Sequence, residues 1–241
     1  MDGLLVVDKP VGLSSMDVVR RVRYAAREGL RAMGIDKKRV KCGHAGTLDP
    51  LASGVLVLGV GKATKAMDRV MDGEKRYVAG VNLAGFTATD DAEHEHTLEP
   101  VNVSVPPTID AVRNAAQRWT GGVMQRPPAY SAVHVDGRRA YQRARDGERV
   151  ELPARPVVIH AIEVLDYDFP DLTLDVRCAK GVYIRSLARD LGTTLGTGGY
   201  LTSLRRTAVG RFTLDMATPM ERFDQPLTAD ALMPLGDEPT G

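Results

Sequence analysis

The chain has 241 residues, of which 43% are hydrophobic and 26% charged, a composition that is ordinary for a globular protein and excludes wholesale disorder. A chain of this length can bury a core as one large domain or two small ones. Its two cysteines are too few for a disulfide framework, which favours a reducing, cytoplasmic compartment. Because no apolar run approaches the roughly 18 residues of a membrane span, the sequence predicts no membrane partner.

The nearly balanced net charge hides an uneven distribution. Lysine and arginine total 32 and aspartate and glutamate 31, for a formal net charge of +1. Basic residues outnumber acidic ones by nine to three in residues 12–41, nine to four in residues 113–155, and seven to one in residues 176–211. Such separation suits a surface that binds a polyanion, although a solvated face with chance clustering explains the same counts.

Short strands and helices follow one another irregularly along the chain. Predicted strands cover residues 3–7, 55–60, 75–83, 130–135, 157–167, 172–179 and 201–209. Predicted helices cover residues 14–33, 62–71, 108–119, 138–145, 183–195 and, with a weak pattern, 228–233. Residues 41–53 are predicted as a loop, and the acidic residues 84–104 as an exposed loop. Because short turns join most strands, the pattern favours an α+β fold with a largely antiparallel sheet over a doubly wound parallel one.

The most informative stretch for chemistry is residues 43–54. Its glycines free the backbone for an irregular loop, and Pro50 biases Asp49 toward an extended conformation. A carboxylate presented by such a loop could act as a nucleophile, a general base or a metal ligand. A cap on the turn that begins at Pro50 is the plainer interpretation of the same aspartate.

Common cofactor and metal motifs are absent from the sequence. It contains no Walker-type phosphate loop, no dinucleotide fingerprint and no nucleophile elbow. The acidic, histidine-containing residues 90–96 lack the spacing of a known metal site. The sequence therefore predicts chemistry without a metal or cofactor, or no catalysis.

Two tyrosines stand beside cationic residues. Tyr77 follows Lys75 and Arg76, and Tyr183 precedes Arg185 by two positions. Aromatic rings among cations suit base stacking over a phosphate-binding groove, although each tyrosine taken singly is also an ordinary strand residue.

Seven motifs in a fixed order resemble the bacterial tRNA pseudouridine-55 synthase family of the TruB type. They are residues 3–15 (GLLVVDKPVGLSS), 43–50 (GHAGTLDP), 59–65 (GVGKATK), 75–77 (KRY), 125–132 (QRPPAYSA), 181–185 (GVYIR) and 204–207 (LRRT). The resemblance spans about residues 3–215 and implies the pseudouridine synthase fold, a central, mostly antiparallel mixed sheet flanked by helices and loops. A series of motifs in one order also outweighs the turn-capping interpretation of Asp49.

The same resemblance implies a domain organisation. Residues 1–219 would form the catalytic domain and residues 220–241 a C-terminal tail. Members of the family usually continue into a small RNA-binding domain, and the tail is too short for it, so this accessory domain is expected to be absent. Residues 89–91 depart slightly from the family pattern, because they read Thr-Asp-Asp instead of Thr-Asp-Thr.

The implied activity is the isomerisation of uridine to pseudouridine at position 55 in the T loop of tRNA. The uridine would be flipped out of its stack, at a cost of a few kcal/mol. The resemblance implies a cytoplasmic monomer that binds the T arm of tRNA, with no cofactor, no metal, no membrane and no obligate protein partner.

The resemblance also assigns roles to individual residues. Asp49 is implied as the catalytic carboxylate, which either attacks C1′ or takes the C2′ proton. Tyr77 is implied to stack on the uracil and to accept the C5 proton, and Arg185 to pair with Asp49. Of the other implied site residues, His44 fills the space left by the flipped uridine, Tyr183 and Leu204 line the pocket, and Lys9, Lys62 and Arg205 contact RNA phosphates.

Three other functions are compatible with part of the sequence. A pseudouridine synthase could act on ribosomal RNA or within an RNA-guided complex instead of on free tRNA. A non-catalytic module could open and re-close the tRNA elbow. A metal-dependent hydrolase is the third alternative, and activity that survives chelation would exclude it.

Overall fold

The computed structural model describes residues 1–36, 39–131, 133–135, 138–146, 148 and 152–234. The chain divides into two compact units: unit 1 combines Met1–Arg76 with Arg205–Gly241, and unit 2 is Tyr77–Leu204. Unit 1 therefore contains both ends of the chain, whereas unit 2 is continuous in sequence. None of the helices in the described ranges is long and apolar enough to cross a membrane.

The elements alternate irregularly, as the sequence predicts. The α-helices are α1 (Ser15–Ala32), α2 (Met67–Asp72), α3 (Ile109–Arg118), α4 (Ala140–Arg145) and α5 (Ile184–Leu195). The strands are β1 (Gly3–Lys9), β2 (Cys42–His44), β3 (Ala52–Val60), β4 (Lys75–Asn82), β5 (Gly85–Phe86), β6 (Glu99–Pro100), β7 (Gly121–Gln125), β8 (His134–Val135), β9 (Arg138–Arg139), β10 (Arg155–Asp168), β11 (Asp171–Cys178), β12 (Tyr200–Val209), β13 (Phe212–Thr213) and β14 (Thr218–Pro219).

The sheet of unit 1 has the order β14-β1-β3-β12, with β2 paired to β3 and β13 paired to β12. The β1–β3 pair is antiparallel, with Leu5 opposite Leu58, and the β1–β14 pair is parallel. Nearly every residue of β1 and β3 is buried, which explains why both strands read as continuous apolar runs.

Helix α1 begins with a capping box. The Ser14 side chain accepts a hydrogen bond from the Asp17 N–H, and the Asp17 carboxylate accepts one from the Ser14 N–H at 3.0 Å. Its buried face consists of small and branched apolar residues such as Val18, Val22 and Ala26, and the helix predicted for residues 14–33 is confirmed.

The C-terminal segment packs closely within unit 1. Met220, Phe223 and Leu227 are buried, and the Leu227 N–H donates to the Ala25 carbonyl of α1 at 2.9 Å. A Cβ at Gly29 would lie 1.8 Å from the Leu227 carbonyl oxygen, so only glycine permits this crossing. The described part of the predicted tail, residues 220–234, is therefore packed against α1.

In unit 2 the strands pair in the order β12-β4-β11-β10-β7. Both β10–β11 and β10–β7 are antiparallel pairs. Helices α3 and α5 are joined at their C-terminal ends by a hydrogen bond of 3.0 Å from the Trp119 indole N–H to the Thr194 hydroxyl. The predicted α+β class with a largely antiparallel sheet is confirmed.

Two local predictions in unit 2 are wrong. In the predicted exposed loop 84–104, Thr87, Thr89 and residues 90–91 are buried. Both threonine hydroxyls donate to Asp91, and the two aspartates accept hydrogen bonds from arginines of α5. In the predicted strand 130–135 only His134–Val135 is a strand, and residue 132 lies outside the described ranges.

Candidate active site

The loop that carries Asp49 is fixed on both sides of the aspartate. The buried hydroxyl of Ser15 accepts a hydrogen bond from the Leu48 N–H at 2.8 Å and donates one to the Leu48 carbonyl at 3.0 Å. On the other side, the Gly12 N–H donates to the Pro50 carbonyl at 2.8 Å. Asp49 is half-buried between these two anchors. The sequence analysis singles out this loop. The hydrogen bonds at Leu48 and Pro50 fix the backbone on either side of Asp49.

Arg206 holds the earlier part of the same loop. Its side chain is 1% exposed, and its guanidinium donates to the carbonyl oxygens of Val55 at 2.8 Å, Gly46 at 3.2 Å and Thr47 at 3.4 Å. Gly46 has a φ of +92°, a conformation that favours glycine. The arginine therefore links strand β3 to the loop that leads to Asp49 through hydrogen bonds.

His44 lies at the end of β2, immediately before this loop. Burial lowers the pKa of its imidazole, and the positive charge of Arg206 lowers it further, while the backbone of Gly46 opposes the shift. The ring is therefore neutral at neutral pH. A neutral, half-buried ring suits packing against a base better than binding a phosphate.

The three predicted phosphate contacts have different surroundings in unit 1. Lys9 is fully buried, and its ammonium group donates to the carbonyls of Leu13 at 2.6 Å and Pro10 at 2.9 Å. This burial favours a role in holding the loop after β1 over the predicted phosphate contact. Arg205 forms an ion pair of 2.8 Å with Asp8, and Lys62 has an exposed side chain.

Unit 2 contains the two predicted tyrosines and the predicted leucine. Tyr77 on β4 and Leu204 on β12 are each 9% exposed. Tyr183 is half-buried and is the N-cap residue of α5. Asp49 and His44 belong to unit 1, so their assembly with these three residues stays a prediction.

Arg185 is buried in the first turn of α5. Its guanidinium donates to the Asp91 carboxylate at 3.2 Å, to the Thr89 carbonyl at 3.2 Å and to the Tyr130 carbonyl at 3.0 Å. The sequence did not single out Asp91 as its partner. The available signal is the acidic turn at residues 89–91, which lies in the predicted exposed loop 84–104. The predicted pairing of Arg185 with Asp49 joins the two units and stays a prediction.

A second, partly buried ion pair involves the aspartate before Asp91. Arg189 donates to the Asp90 carboxylate at 2.6 Å and to the Arg126 carbonyl at 2.8 Å, and it also pairs with Asp190. Asp90 has a φ of 59°, which is uncommon for a residue with a side chain. Burial raises the pKa of Asp90 to about 6, against the opposing effect of Arg189.

The raised pKa of Asp90 predicts a pH-dependent stability. An acid whose pKa is raised on folding binds more protons in the folded state, so its contribution to stability falls as pH rises from about 4 to about 6. Asp90→Asn removes this titration, and asparagine tolerates a positive φ. As pH rises from 4 to 7, we expect the free energy of unfolding of the variant to increase relative to that of the wild type by up to about 3 kcal/mol.

Urea unfolding at several pH values measures this difference. Asp110→Asn, at an exposed site on α3, is the matched control and should show no comparable change between pH 4 and pH 7. An Asp90→Asn variant whose stability relative to the wild type does not depend on pH would contradict the assignment.

Metal ligation has no candidate site within the ranges that the structure describes, because no group of three or more His, Cys, Asp and Glu residues could hold an ion there. The prediction that no metal or cofactor takes part stays a prediction.

Two family models together match most of the chain. The model described as TruB family pseudouridylate synthase (N terminal domain) matches residues 32–184, and the one described as tRNA pseudouridylate synthase B C-terminal domain matches residues 185–232.

Curated relatives and solved structures agree with these models. A tRNA pseudouridine synthase B of Corynebacterium diphtheriae is 46% identical over 92% of this chain and 72% of its own length. One of Streptomyces avermitilis is 44% identical over 98% of this chain and 76% of its own. A chain in the crystal structure of a Cbf5-Nop10-Gar1 complex superposes with a TM-score of 0.64 at 28% identity, over 91% of this chain and 52% of that one.

These matches confirm the pseudouridine synthase fold that the motifs predict. The two family models together span residues 32–232, which include Asp49, Tyr77, Tyr183 and the arginines of α5. The chain belongs to the TruB family of pseudouridylate synthases.

Proposed function

We propose that this chain isomerises uridine 55 in the T loop of tRNA, with Asp49 as the catalytic carboxylate. Relatives at 44–47% identity carry the name tRNA pseudouridine synthase B, which supports tRNA as the substrate class. The observation that carries the proposal is the rigid mounting of the Asp49 loop by Ser15, Gly12 and Arg206.

Rigid mounting matters because the reaction requires a carboxylate in a fixed place beside the sugar. Both backbone groups of Leu48 are occupied by Ser15, and two carbonyls before it are held by Arg206. A catalytic group that is already held in place contributes more to the rate than a mobile one, because no entropy is lost in ordering it during the reaction. The loop geometry therefore favours catalysis over a turn cap as the role of Asp49.

The reaction rearranges bonds without oxidation or reduction. The N1–C1′ bond breaks, the C5–C1′ bond forms, C5 loses a proton and N1 gains one. Asp49 begins this sequence either by attack on C1′ or by taking the C2′ proton. A base near C5 completes it, and the Tyr77 hydroxyl is the proposed acceptor.

The pocket must also retain the detached uracil and exclude water. Tyr77 and Leu204 are nearly buried, and Tyr183 is half-buried, so each can offer an apolar surface to a base. We assign the stacking role to Tyr77 and the pocket walls to Tyr183 and Leu204. Arg185 is proposed to orient Asp49.

The proposed protein acts as a monomer in the cytoplasm on the T arm of tRNA. It needs no cofactor and no obligate protein partner in this proposal. Lys62, which is exposed, and Arg205, which is part-exposed beside Asp8, are the proposed phosphate contacts.

Chemical mapping of pseudouridine on a tRNA transcript tests the proposal. We expect the purified protein to modify an unmodified transcript at position 55 alone, and to leave a transcript with cytidine at that position unchanged. Ribosomal RNA, incubated in parallel, separates this function from that of a synthase with a ribosomal substrate. Modification of other positions, or none, would refute the proposed substrate.

A further inference from the structure

Two residues that face each other across a strand pair contact the same tyrosine. Gln125 ends β7 and Arg155 begins β10, and the antiparallel register places them directly opposite each other. Directly opposite residues project to the same face of a sheet. Both side chains reach the segment that leads into α5, where they meet Tyr183 and Gly181.

Gln125 binds the backbone of Tyr183 at two points. Its side-chain oxygen accepts a hydrogen bond from the Tyr183 N–H at 2.8 Å, and its side-chain nitrogen donates to the Tyr183 carbonyl at 3.1 Å. The glutamine is 1% exposed, so water does not replace either bond readily. The side-chain amide of Gln125 thus bonds both the N–H and the carbonyl of Tyr183, as the backbone of a paired strand would.

Arg155 holds the ring of the same tyrosine. The central carbon of its guanidinium lies 5.2 Å from the centroid of the Tyr183 ring, within the range of a cation–π contact. Its Nη2 also donates to the Gly181 carbonyl at 3.1 Å, which attaches the guanidinium to the backbone before the ring. Gly181 has a φ of +87°, so this bend in the chain favours glycine.

We propose that Gln125 and Arg155 are positioning residues that preset Tyr183 before RNA binds. Gln125 fixes the backbone of the tyrosine and the start of α5, and Arg155 fixes the plane of its ring. The inference rests on the proposed function, since it assumes that Tyr183 forms a wall of the uracil pocket. Neither positioning residue needs to touch the RNA.

The backbone contact is tested by Gln125→Met, which keeps the length of the side chain and removes both hydrogen bonds. We expect the single-turnover rate of pseudouridine formation to fall roughly tenfold or more, with the affinity for tRNA unchanged. The exposed Gln117→Met on α3 is the matched control and should leave the rate as it is. Equal rates for the wild type and Gln125→Met would overturn the role of Gln125.

The ring contact is tested by Arg155→Lys, which keeps the charge and loses the planar guanidinium. We expect the rate to fall roughly 3- to 10-fold without a change in tRNA affinity. The exposed Arg118→Lys on α3 is the control. In a Tyr183→Leu background, Arg155→Lys should have a much smaller effect, because only the hydrogen bond to Gly181 is left to lose. A full rate in Arg155→Lys, or an equal loss of rate without the ring, would overturn the role of Arg155.

Hydrogen exchange separates failure of this inference from failure of the proposed function. In Gln125→Met, the Tyr183 amide should exchange roughly tenfold faster than in the wild type, whether or not the protein modifies tRNA. If the wild type leaves position 55 unmodified, the proposed function fails, and the exchange rate still decides whether Gln125 holds Tyr183. If the wild type is active and the exchange rate is unaltered, the positioning role alone is refuted.

Discussion

Asp49→Asn is expected to lower the rate of pseudouridine formation by roughly 10³-fold or more, because the amide can act neither as a base nor as a nucleophile. The substitution preserves size and shape, and the loop anchors at Leu48 and Pro50 use backbone atoms that it does not alter. Affinity for tRNA and the free energy of unfolding should therefore remain close to those of the wild type. Single-turnover assays and a binding titration measure the two quantities separately.

Asp68→Asn provides the matched control for this experiment. Asp68 lies exposed on α2, also in unit 1, and its replacement should leave the rate unchanged. An Asp49→Asn variant that continues to form pseudouridine at a rate near that of the wild type would refute Asp49 as the catalytic group. A variant that loses tRNA affinity in parallel with rate would point to a binding role instead.

Arg206→Met is expected to lower the free energy of unfolding by about 3–5 kcal/mol. The buried guanidinium serves three carbonyl oxygens, and methionine leaves them without these donors. Because two of those carbonyls belong to Gly46 and Thr47, the loop before Asp49 should also lose its fixed shape. We therefore expect the rate of pseudouridine formation to fall even under conditions where the variant is folded.

The neighbouring arginine supplies a close control. Arg205→Met makes the same chemical change one residue away, at a side chain that is 42% exposed and paired with Asp8. A surface pair of this kind contributes about 0–1 kcal/mol, so Arg205→Met should destabilise far less. Urea unfolding measures the free energy of unfolding of both variants. An equal decrease in the two variants would contradict the proposal that Arg206 holds the loop.

Elements with strong local signals could be predicted from the sequence. A serine at position 14 or 15 predicts the start of α1, where Ser14 is the observed cap. The turn residues Pro170 and Asp171 predict the break between β10 and β11. Strand β7 was not predicted, because its two glycines, Gly121 and Gly122, weaken the strand pattern. It becomes a strand through pairing with β10, which is a tertiary contact.

The chemistry of the candidate site was predictable only in part. The motif around Asp49 and its order among the other motifs identified the family, which the comparisons confirm. The buried positions of Lys9 and Arg206 could not be predicted, because lysine and arginine side chains are usually exposed and nothing local marks these two as exceptions. Their burial depends on carbonyl groups that only the folded chain brings within reach. The same holds for Gln125, which has no local signal beyond its motif.

The discontinuity of unit 1 has a consequence for synthesis on the ribosome. Strand β1 emerges first and can pair at once with β3, but its other edge waits for β14 and for Met233, whose backbone exchanges two hydrogen bonds with Leu4. The part of the other β3 edge that β2 does not cover likewise waits for β12. Throughout translation of residues 77–204, the outer edge of β1 therefore lacks its partners, and an unpaired apolar edge of this kind can pair with another nascent chain.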